Sequence, residues 1–466
     1  MNDRFDFVVI GGGSAGYAGA ATASGLGLKT AVIEGGAEIG GLCILRGCMP
    51  SKTLLESAHR AETIRRAHEF GLRAEYRGPD GPAILARKRL LISEFANYRR
   101  KQLETGAFEF IRGTAAFIDP QTIEVALTDG GTRRIKGRTF LVATGSRVNR
   151  VEIPGIEETG VWDSDEVLEA VRIPESVIVL GGGAIGLEFA SYYAGLGSEV
   201  TVVQRGPQLL KEVDLDVAEA LAGALERRGM RVLRKTAIVH LERNGSRRRV
   251  VFYRAGERQT VEAEEIIYAL GRAPNTRGLQ LDRAGVELAH DGVRVEATQQ
   301  SSAAHIFAAG DVCGPFEVVH IAIQQAEIAA RNAARIVRGG NEPLEEIDYT
   351  LKVFVVFTQP EVATVGLNER EATSQGRDFL TAAYPFNDHG KSLIRAETDG
   401  FVKLIADRAT RRLLGGAALG PDASELIHEI SVALHFGATA GDLARVPHYH
   451  PTLSEIWLYP AEQLAK

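Results

Sequence analysis

Two of the three cysteines in this 466-residue chain stand five apart, in Gly40-Gly41-Leu42-Cys43-Ile44-Leu45-Arg46-Gly47-Cys48-Met49-Pro50-Ser51-Lys52. Thiols so placed can hold a metal or exchange electrons as a disulfide. Zinc is disfavoured: the spacing is not C-x-x-C, and no second Cys/His pair nearby completes a tetrahedral shell. Thiol–disulfide exchange fits better, on one condition. In a regular helix, residues five apart have Cα atoms about 8.7 Å apart, beyond the ~4.4–6.8 Å that a disulfide spans, so the backbone must bend, and Gly47 permits it. Pro50 suits the first turn of a following helix. Thiolates near helix N-termini are stabilised, which places Cys48 to be the thiolate of a reduced pair. The plain alternative is two buried structural cysteines.

A redox pair needs something to trade electrons with, and two glycine-rich turns supply it. The run Phe5 to Ile10 is β-rich and leads into Gly11-Gly12-Gly13-Ser14-Ala15-Gly16, an alanine-rich helical stretch, and a second strand ending at Glu34. This is a complete βαβ dinucleotide fingerprint. Gly11 makes the tight turn, Gly13 lets backbone approach a pyrophosphate, Gly16 lets helix pack on strand, and Glu34 accepts from ribose hydroxyls. The pattern recurs as SVIVL, then Gly181-Gly182-Gly183-Ala184-Ile185-Gly186, a helix, and the strand Glu199 to Val203. Gly11 to Glu34 and Gly181 to Gln204 are both 23 residues, so chance is a poor explanation. Two dinucleotides in one chain suit electron transfer between a flavin and a nicotinamide. In the second site Gln204 stands where an acid would favour NAD, with Arg205 next and Lys211 following. Basic residues accommodate a 2′-phosphate, so NADP(H) is favoured over NAD(H) unless both are solvated surface charges.

Composition narrows the setting. The chain is 45% hydrophobic and 24% charged, with a net charge of −6, and has material for several cores. Interspersed charges leave no basic stripe for nucleic acid or an anionic membrane, and no apolar run reaches the ~18 residues of a spanning helix. Three cysteines cannot build a disulfide framework, and Asp3 and Asp6 stand where a signal peptide carries positive charge, so a cytoplasmic location is expected. Asn244-Gly245-Ser246 reads as a turn.

The cysteine segment resembles that of the FAD-dependent pyridine nucleotide-disulfide oxidoreductases, of the dihydrolipoamide dehydrogenase, glutathione reductase and mercuric reductase type. The resemblance covers essentially the whole chain, through Ala143-Thr144-Gly145-Ser146, Gly271-Arg272-Ala273-Pro274-Asn275, HIFAAGDV over His305 to Val312, and His448-Tyr449-His450-Pro451-Thr452-Leu453-Ser454-Glu455. It implies that Cys43 is the interchange thiol and Cys48 the thiol in charge-transfer contact with the flavin. Lys52 and Glu188 would form an ion pair near the flavin and nicotinamide, Ala115 a backbone contact to the adenine end, and Asp311 a ribityl ligand. Thr144, Gly145 and Gly271 would belong to the cofactor-binding turns. His450 and Glu455 would be an acid–base pair donated across a homodimer interface. Exchange chemistry independently needs a proton acceptor near neutral pH, which a carboxylate-oriented histidine provides. His448 reads as packing or surface.

Departures from the family pattern bear on substrate. Leu42 and Leu45 replace a usual Thr and Asn, removing polar support around the disulfide. Ala184 and Ser51 point away from glutathione. Mercuric reductases place Tyr at the position of His450, and no cysteine follows Cys313, so metal-ion reduction ranks behind dithiol chemistry. Cys313 itself reads as a buried bystander. The expected substrate is a small disulfide or dithiol of the lipoamide kind, although that activity usually goes with NAD. The alternatives are an NADPH-dependent metal-ion or quinone reductase, and a non-catalytic flavin redox sensor.

The expected architecture is α/β: two Rossmann-like dinucleotide-binding domains and a C-terminal α+β dimerisation domain. The FAD domain occupies residues 1–150 and returns over 276–345; the NAD(P) domain takes 151–275 and the interface domain 346–466. Residues 56–70 and 87–104 read as inserted amphipathic helices whose basic residues form a solvated face.

Overall fold

In the computed structural model, which describes residues 3–340 and 342–466, Arg4–Ile10 is a strand covered on both faces. Its alternation sorts Val8 and Ile10 into one core and Phe7 and Val9 into another, as the two-residue period of a strand requires, while Phe5 falls out of phase and joins the first. It pairs in parallel with Thr30–Glu34 on one side and Thr132–Val142 on the other. Glu109–Asp119 extends the sheet beyond Thr30–Glu34, and Ile306–Ala308 extends it beyond Thr132–Val142. Thr122–Leu127 joins Glu109–Asp119 to Thr132–Val142 as an antiparallel meander. Helices Ser14–Gly25 and Val319–Arg338 share the second core, where small residues allow close approach: a Cβ on Gly19 would lie 2.6 Å from Leu141 and 3.4 Å from the Ala326 carbonyl.

These elements belong to one compact unit, drawn from Met1–Pro50, Ala86–Asn149 and Arg272–Asp348. The other comprises Ser51–Leu85, Arg150–Gly271 and Tyr349–Lys466. Its parallel sheet runs Glu265–Tyr268, Ser176–Leu180, Glu199–Val203, Arg231–Leu233. An antiparallel sheet, Thr236–Asn244, Arg247–Arg254 and Glu257–Ala263, turns at Gly245-Ser246. A further antiparallel sheet is ordered Val353–Val356, Glu361–Gly366, Leu413–Gly420, Phe401–Asp407, Phe379–Pro385, and packs with helix Ala423–His435.

Residues 51–85 group with this unit because the helix Cys48–Arg65 sends Leu54, Ala58 and Ala61 into a core shared with Phe189 and Tyr192. The contact is close, since a Cβ on Gly195 would sit 2.8 Å from that of Ala58. The helix Gly81–Glu104 differs from the amphipathic expectation in two respects: Lys88 is buried at 3% exposure and Arg99 is half-buried rather than on a solvated face, and Leu90, Phe95 and Tyr98 are exposed. Among the described residues, no helix is long and apolar enough to cross a membrane.

Candidate active site

The bend required between the two cysteines is present. A helix Gly41–Arg46 stops at Gly47, which has φ −130° and ψ −116° and so leaves the helical conformation. A Cβ there would be 3.0 Å from the Leu42 carbonyl and 3.2 Å from the Cys43 Cα. Cys48 then opens the 18-residue helix Cys48–Arg65, with Pro50 in its first turn and no acid there to compete for the positive end of the dipole. Leu45, one of the aliphatic departures, lies over Gly40, where a Cβ would come 2.9 Å from its Cγ. Gly41 (φ +73°) lies so close to Gly13 that a Cβ on it would be 2.5 Å from the Gly13 Cα. The cysteine segment is therefore laid directly on the first fingerprint.

In that fingerprint the glycines divide by cause. Gly11 (φ +108°) and Gly16 are demanded by the fold itself, since Cβ atoms there would lie 2.4 Å from the Ala143 carbonyl and 1.8 Å from the Gly11 carbonyl. Gly13 is not: its nearest neighbour would be 3.7 Å away. Gly13 is also the N-cap of Ser14–Gly25, without side-chain cap or first-turn acid, so that helix's N–H groups are left for an anion. Glu34 accepts from Gly12 N–H at 2.7 Å and Gly36 N–H at 2.6 Å. Its neighbour in register, Arg112, has a buried Nη1 with no partner among the described residues. An anionic dinucleotide fits these groups.

The remaining flavin-motif residues form a linked set. Ser146 Oγ donates to Asp311 at 2.6 Å and receives Arg272 Nε at 2.7 Å. Thr144 Oγ1 donates to the Asn275 carbonyl at 2.7 Å, and Gly145 (φ +67°) accepts from Asn275 N–H at 2.9 Å. Ala115 is buried in Glu109–Asp119, paired with Val125. Cys313 donates to the Gly310 carbonyl at 3.3 Å, and burial, helped by Asp311, pushes its thiol up to about 12.

The second fingerprint repeats the division. Cβ atoms on Gly181 (φ +109°) and Gly186 would meet the Ala269 and Gly181 carbonyls at 2.4 and 2.3 Å, whereas one on Gly183 would meet nothing within 4 Å. Helix Ala184–Leu196 likewise starts without a side-chain cap or an acid. Gln204 does the turn-holding work of Glu34, accepting from Gly182 N–H at 2.9 Å, and it spends its amide on the Gln208 carbonyl. Arg205 is exposed, and Lys211 is 88% exposed with Glu212 at 4.0 Å. Gly271 (φ +98°) has open space where a Cβ would be.

Lys52 Nζ lies 2.8 Å from both oxygens of Glu188, which is 5% exposed and also accepts Phe357 N–H at 3.2 Å. The ammonium sits 4.8 Å over the Phe357 ring. Lys52 follows Cys48 by four residues on one helix and shares its face. His450 Nδ1 is 2.9 Å from Glu455 Oε2; the histidine is 78% exposed and the carboxylate buried. His448 instead spends Nε2 on Glu429 at 2.7 Å and is structural.

Two participants escaped sequence reasoning. His389 is fully buried beside Glu455. Arg99 stacks 4.4 Å over Tyr17 with Nε and Nη1 buried and unpartnered among the described residues. Burial lowers the proton affinity of the Arg99 guanidinium, opposed by Tyr17 and Cys43. Neither lies in a motif; only an arginine on a helix otherwise read as solvated, and a histidine outside any pattern, could have drawn attention.

Two dinucleotide cradles in tandem, a bent cysteine pair against the first and a buried ion pair on the helix that follows define a flavin-linked disulfide enzyme. The chain belongs to the pyridine nucleotide-disulphide oxidoreductases: that family matches residues 5–326, and its dimerisation domain matches residues 354–460. It is thus an FAD-containing enzyme that uses a pyridine nucleotide. It is 36% identical over 462 residues to a dihydrolipoyl dehydrogenase of Chlamydia trachomatis, covering 98% of this chain and 96% of that one. It is 32% identical to a mercuric reductase of Bacillus cereus, covering 97% of this chain and 70% of that one. Among solved structures, LpdA from Mycobacterium tuberculosis superposes with a TM-score of 0.87 at 28% identity, covering 100% of both chains. The Cu(II) complex of the flavoprotein disulfide reductase RclA from Escherichia coli gives 0.85 at 27%, covering 99% of this chain and 100% of that one.

Proposed function

We propose that this enzyme is a cytoplasmic NADPH-dependent reductase of small disulfides of the lipoamide kind, working as a homodimer with each active site completed by the partner subunit. The observation that carries this reading is the break at Gly47, which starts a helix at Cys48 five residues after Cys43. An inert buried pair needs no such interruption. FAD would be held by Gly11, Gly13, Gly16, Glu34, Ala115, Thr144, Gly145 and Asp311, and would supply the passage of an electron pair from nicotinamide to the cysteines.

The chain's own residues carry the rest. With the disulfide reduced, Cys43 attacks a sulfur of the substrate disulfide, and the S–S bond breaks as the mixed disulfide forms. The departing thiolate takes a proton from His450, whose other nitrogen Glu455 holds. Cys48 then attacks Cys43, releasing the second thiol and restoring the Cys43–Cys48 disulfide. Lys52 and Glu188 keep the reduction site's charge balanced. A base 78% exposed, next in sequence to exposed Tyr449, suits a site shared between subunits. NADPH is favoured by the neutral Gln204 and by exposed Arg205 and Lys211, the latter only loosely paired with Glu212 at 4.0 Å, which a 2′-phosphate would meet.

A second reading, reduction of metal ions, is favoured by the similarity to a mercuric reductase and to a reductase solved with Cu(II). A steady-state panel crossing NADH and NADPH with lipoamide, glutathione disulfide, Hg(II), Cu(II) and quinones decides. The proposal expects NADPH-driven lipoamide turnover; turnover with metal ions or quinones alone replaces it, and bound FAD without turnover on any acceptor leaves only a sensor.

A further inference from the structure

Glu455 has two oxygens and the acid–base reading uses one. Oε2 faces His450 Nδ1 at 2.9 Å. Oε1 faces a second histidine, His389, whose Nε2 is 3.4 Å away. His389 is 0% exposed, at the junction of the turn Phe386–Asp388 and the helix Gly390–Arg395. Its ring lies edge-on to Phe386 and Tyr459, with centroids 6.4 Å from each. Nδ1 is 2.9 Å from the hydroxyl of Ser392, which is also 0% exposed. When Ser392 donates to Nδ1, the ring proton is on Nε2 and directed at Glu455.

Among the described residues, that Nε2 has no hydrogen-bond partner of ordinary geometry. An imidazole N–H buried so completely is costly unless something accepts from it; the Glu455 oxygen at 3.4 Å and the backbone of Thr452 both pull on the ring's proton, and of the two only the carboxylate carries charge. Catalytic hydrogen bonds are often long in a resting enzyme and tighten as charge develops. Burial, which outweighs the pull of Glu455, lowers the ring's affinity for a proton and keeps it a neutral donor.

We propose that His389 is a positioning residue for the exchange base, donating from Nε2 to Oε1 of Glu455 so that the carboxylate cannot turn away from His450. The inference rests on the reading of His450 and Glu455 as the acid–base pair. A carboxylate held at one oxygen only can rotate about its terminal bond; one held at both presents a fixed Oε2 to His450 in every turnover.

The test uses the full-length FAD-loaded dimer. His389→Leu, His389→Gln, His450→Ala and the double variant His389→Leu/His450→Ala are reduced anaerobically with NADPH, then reoxidised with excess lipoamide in a single turnover. Flavin content and thermal midpoint are followed alongside. Reduction by NADPH is expected to be unchanged throughout. Reoxidation is expected to slow about tenfold in His389→Leu, the value of one hydrogen bond to a charged group. The amide N–H of Gln reaches a similar point, so His389→Gln is expected to recover most of that loss. The double variant should be no slower than His450→Ala alone. Wild-type reoxidation by His389→Leu, failure of Gln to rescue, or a further slowing on top of His450→Ala overturns the proposal. If His450→Ala itself reoxidises at the wild-type rate, the acid–base reading falls first and takes this inference with it.

Discussion

A methyl group at Gly183 separates what the second fingerprint needs for folding from what it needs for a ligand. Gly183 has φ −86° and ψ −179°, extended backbone that alanine adopts freely, and a Cβ there meets nothing within 4 Å. Gly183→Ala should therefore change stability by no more than about 0.5 kcal/mol, the usual range for a substitution that touches nothing. The same methyl stands at the uncapped start of Ala184–Leu196, where the proposed reading brings a pyrophosphate to the N–H groups. Pushing the anion off one charge-assisted hydrogen bond costs ~1.5–3 kcal/mol, or about 10- to 150-fold in dissociation constant. Gly186→Ala is the contrast: its Cβ would lie 2.3 Å from the Gly181 carbonyl, so the loss should appear in folding, by ~1–3 kcal/mol or more. Calorimetric titration of NADPH into the oxidised protein, with thermal unfolding of both variants, reads the two effects separately. Nicotinamide affinity unchanged in a well-folded Gly183→Ala would refute the reasoning, because nothing in the chain then explains that glycine.

Three further outcomes follow from the site. Arg205→Ala should raise the KM for NADPH at least about tenfold while leaving that for NADH nearly constant, the loss of one ionic hydrogen bond to a 2′-phosphate; equal changes contradict the assignment. Glu188→Gln keeps the shape but removes the charge facing Lys52 Nζ at 2.8 Å. Because Lys52 is one-third exposed, the cost falls toward the lower end of ~1.5–3 kcal/mol, read as about tenfold slower stopped-flow reduction by NADPH; an unchanged rate removes the pair from the reaction. Burial raises the Cys313 thiol to about 12, above the ordinary ~8.5, so its thiolate is scarce until strongly alkaline pH. Iodoacetamide at pH 8 should label reduced Cys43 and Cys48 and spare Cys313, and rapid labelling at Cys313 by peptide mapping would show that it is not sealed.

Much of the arrangement was legible because it depends on local rules. The strands Ser176–Leu180 and Glu199–Val203 have the bounds that the β-rich runs indicate, and the helix break falls at Gly47 because five-residue spacing and disulfide reach cannot both be met without it. The shared spacing of 23 residues in the two fingerprints reflects one βαβ geometry used twice. Gln204 was legible as a missing acid, but not as a substitute for Glu34 in holding its own glycine turn, since that role depends on a hydrogen bond across 22 residues. What stayed hidden depends on long-range packing. Residues 51–85 join the second unit through Ala58 against Gly195, a contact between positions far apart in the chain. Lys403 is buried among Asp214, Asp216 and Glu369, so a cluster with metal-like geometry already holds an ammonium. His389 reaches Glu455 across 66 residues, and no period or motif signals it.

The most direct measurement is an anaerobic titration of the flavin spectrum with NADPH in wild type, Cys43→Ser and Cys48→Ser. The account predicts a long-wavelength absorbance in two-electron-reduced wild type, the same feature in Cys43→Ser without reductant, and none in Cys48→Ser. Identical spectra from the two serine variants, at every stage of reduction, would contradict the claim that this bent cysteine pair exchanges electrons with the flavin through Cys48.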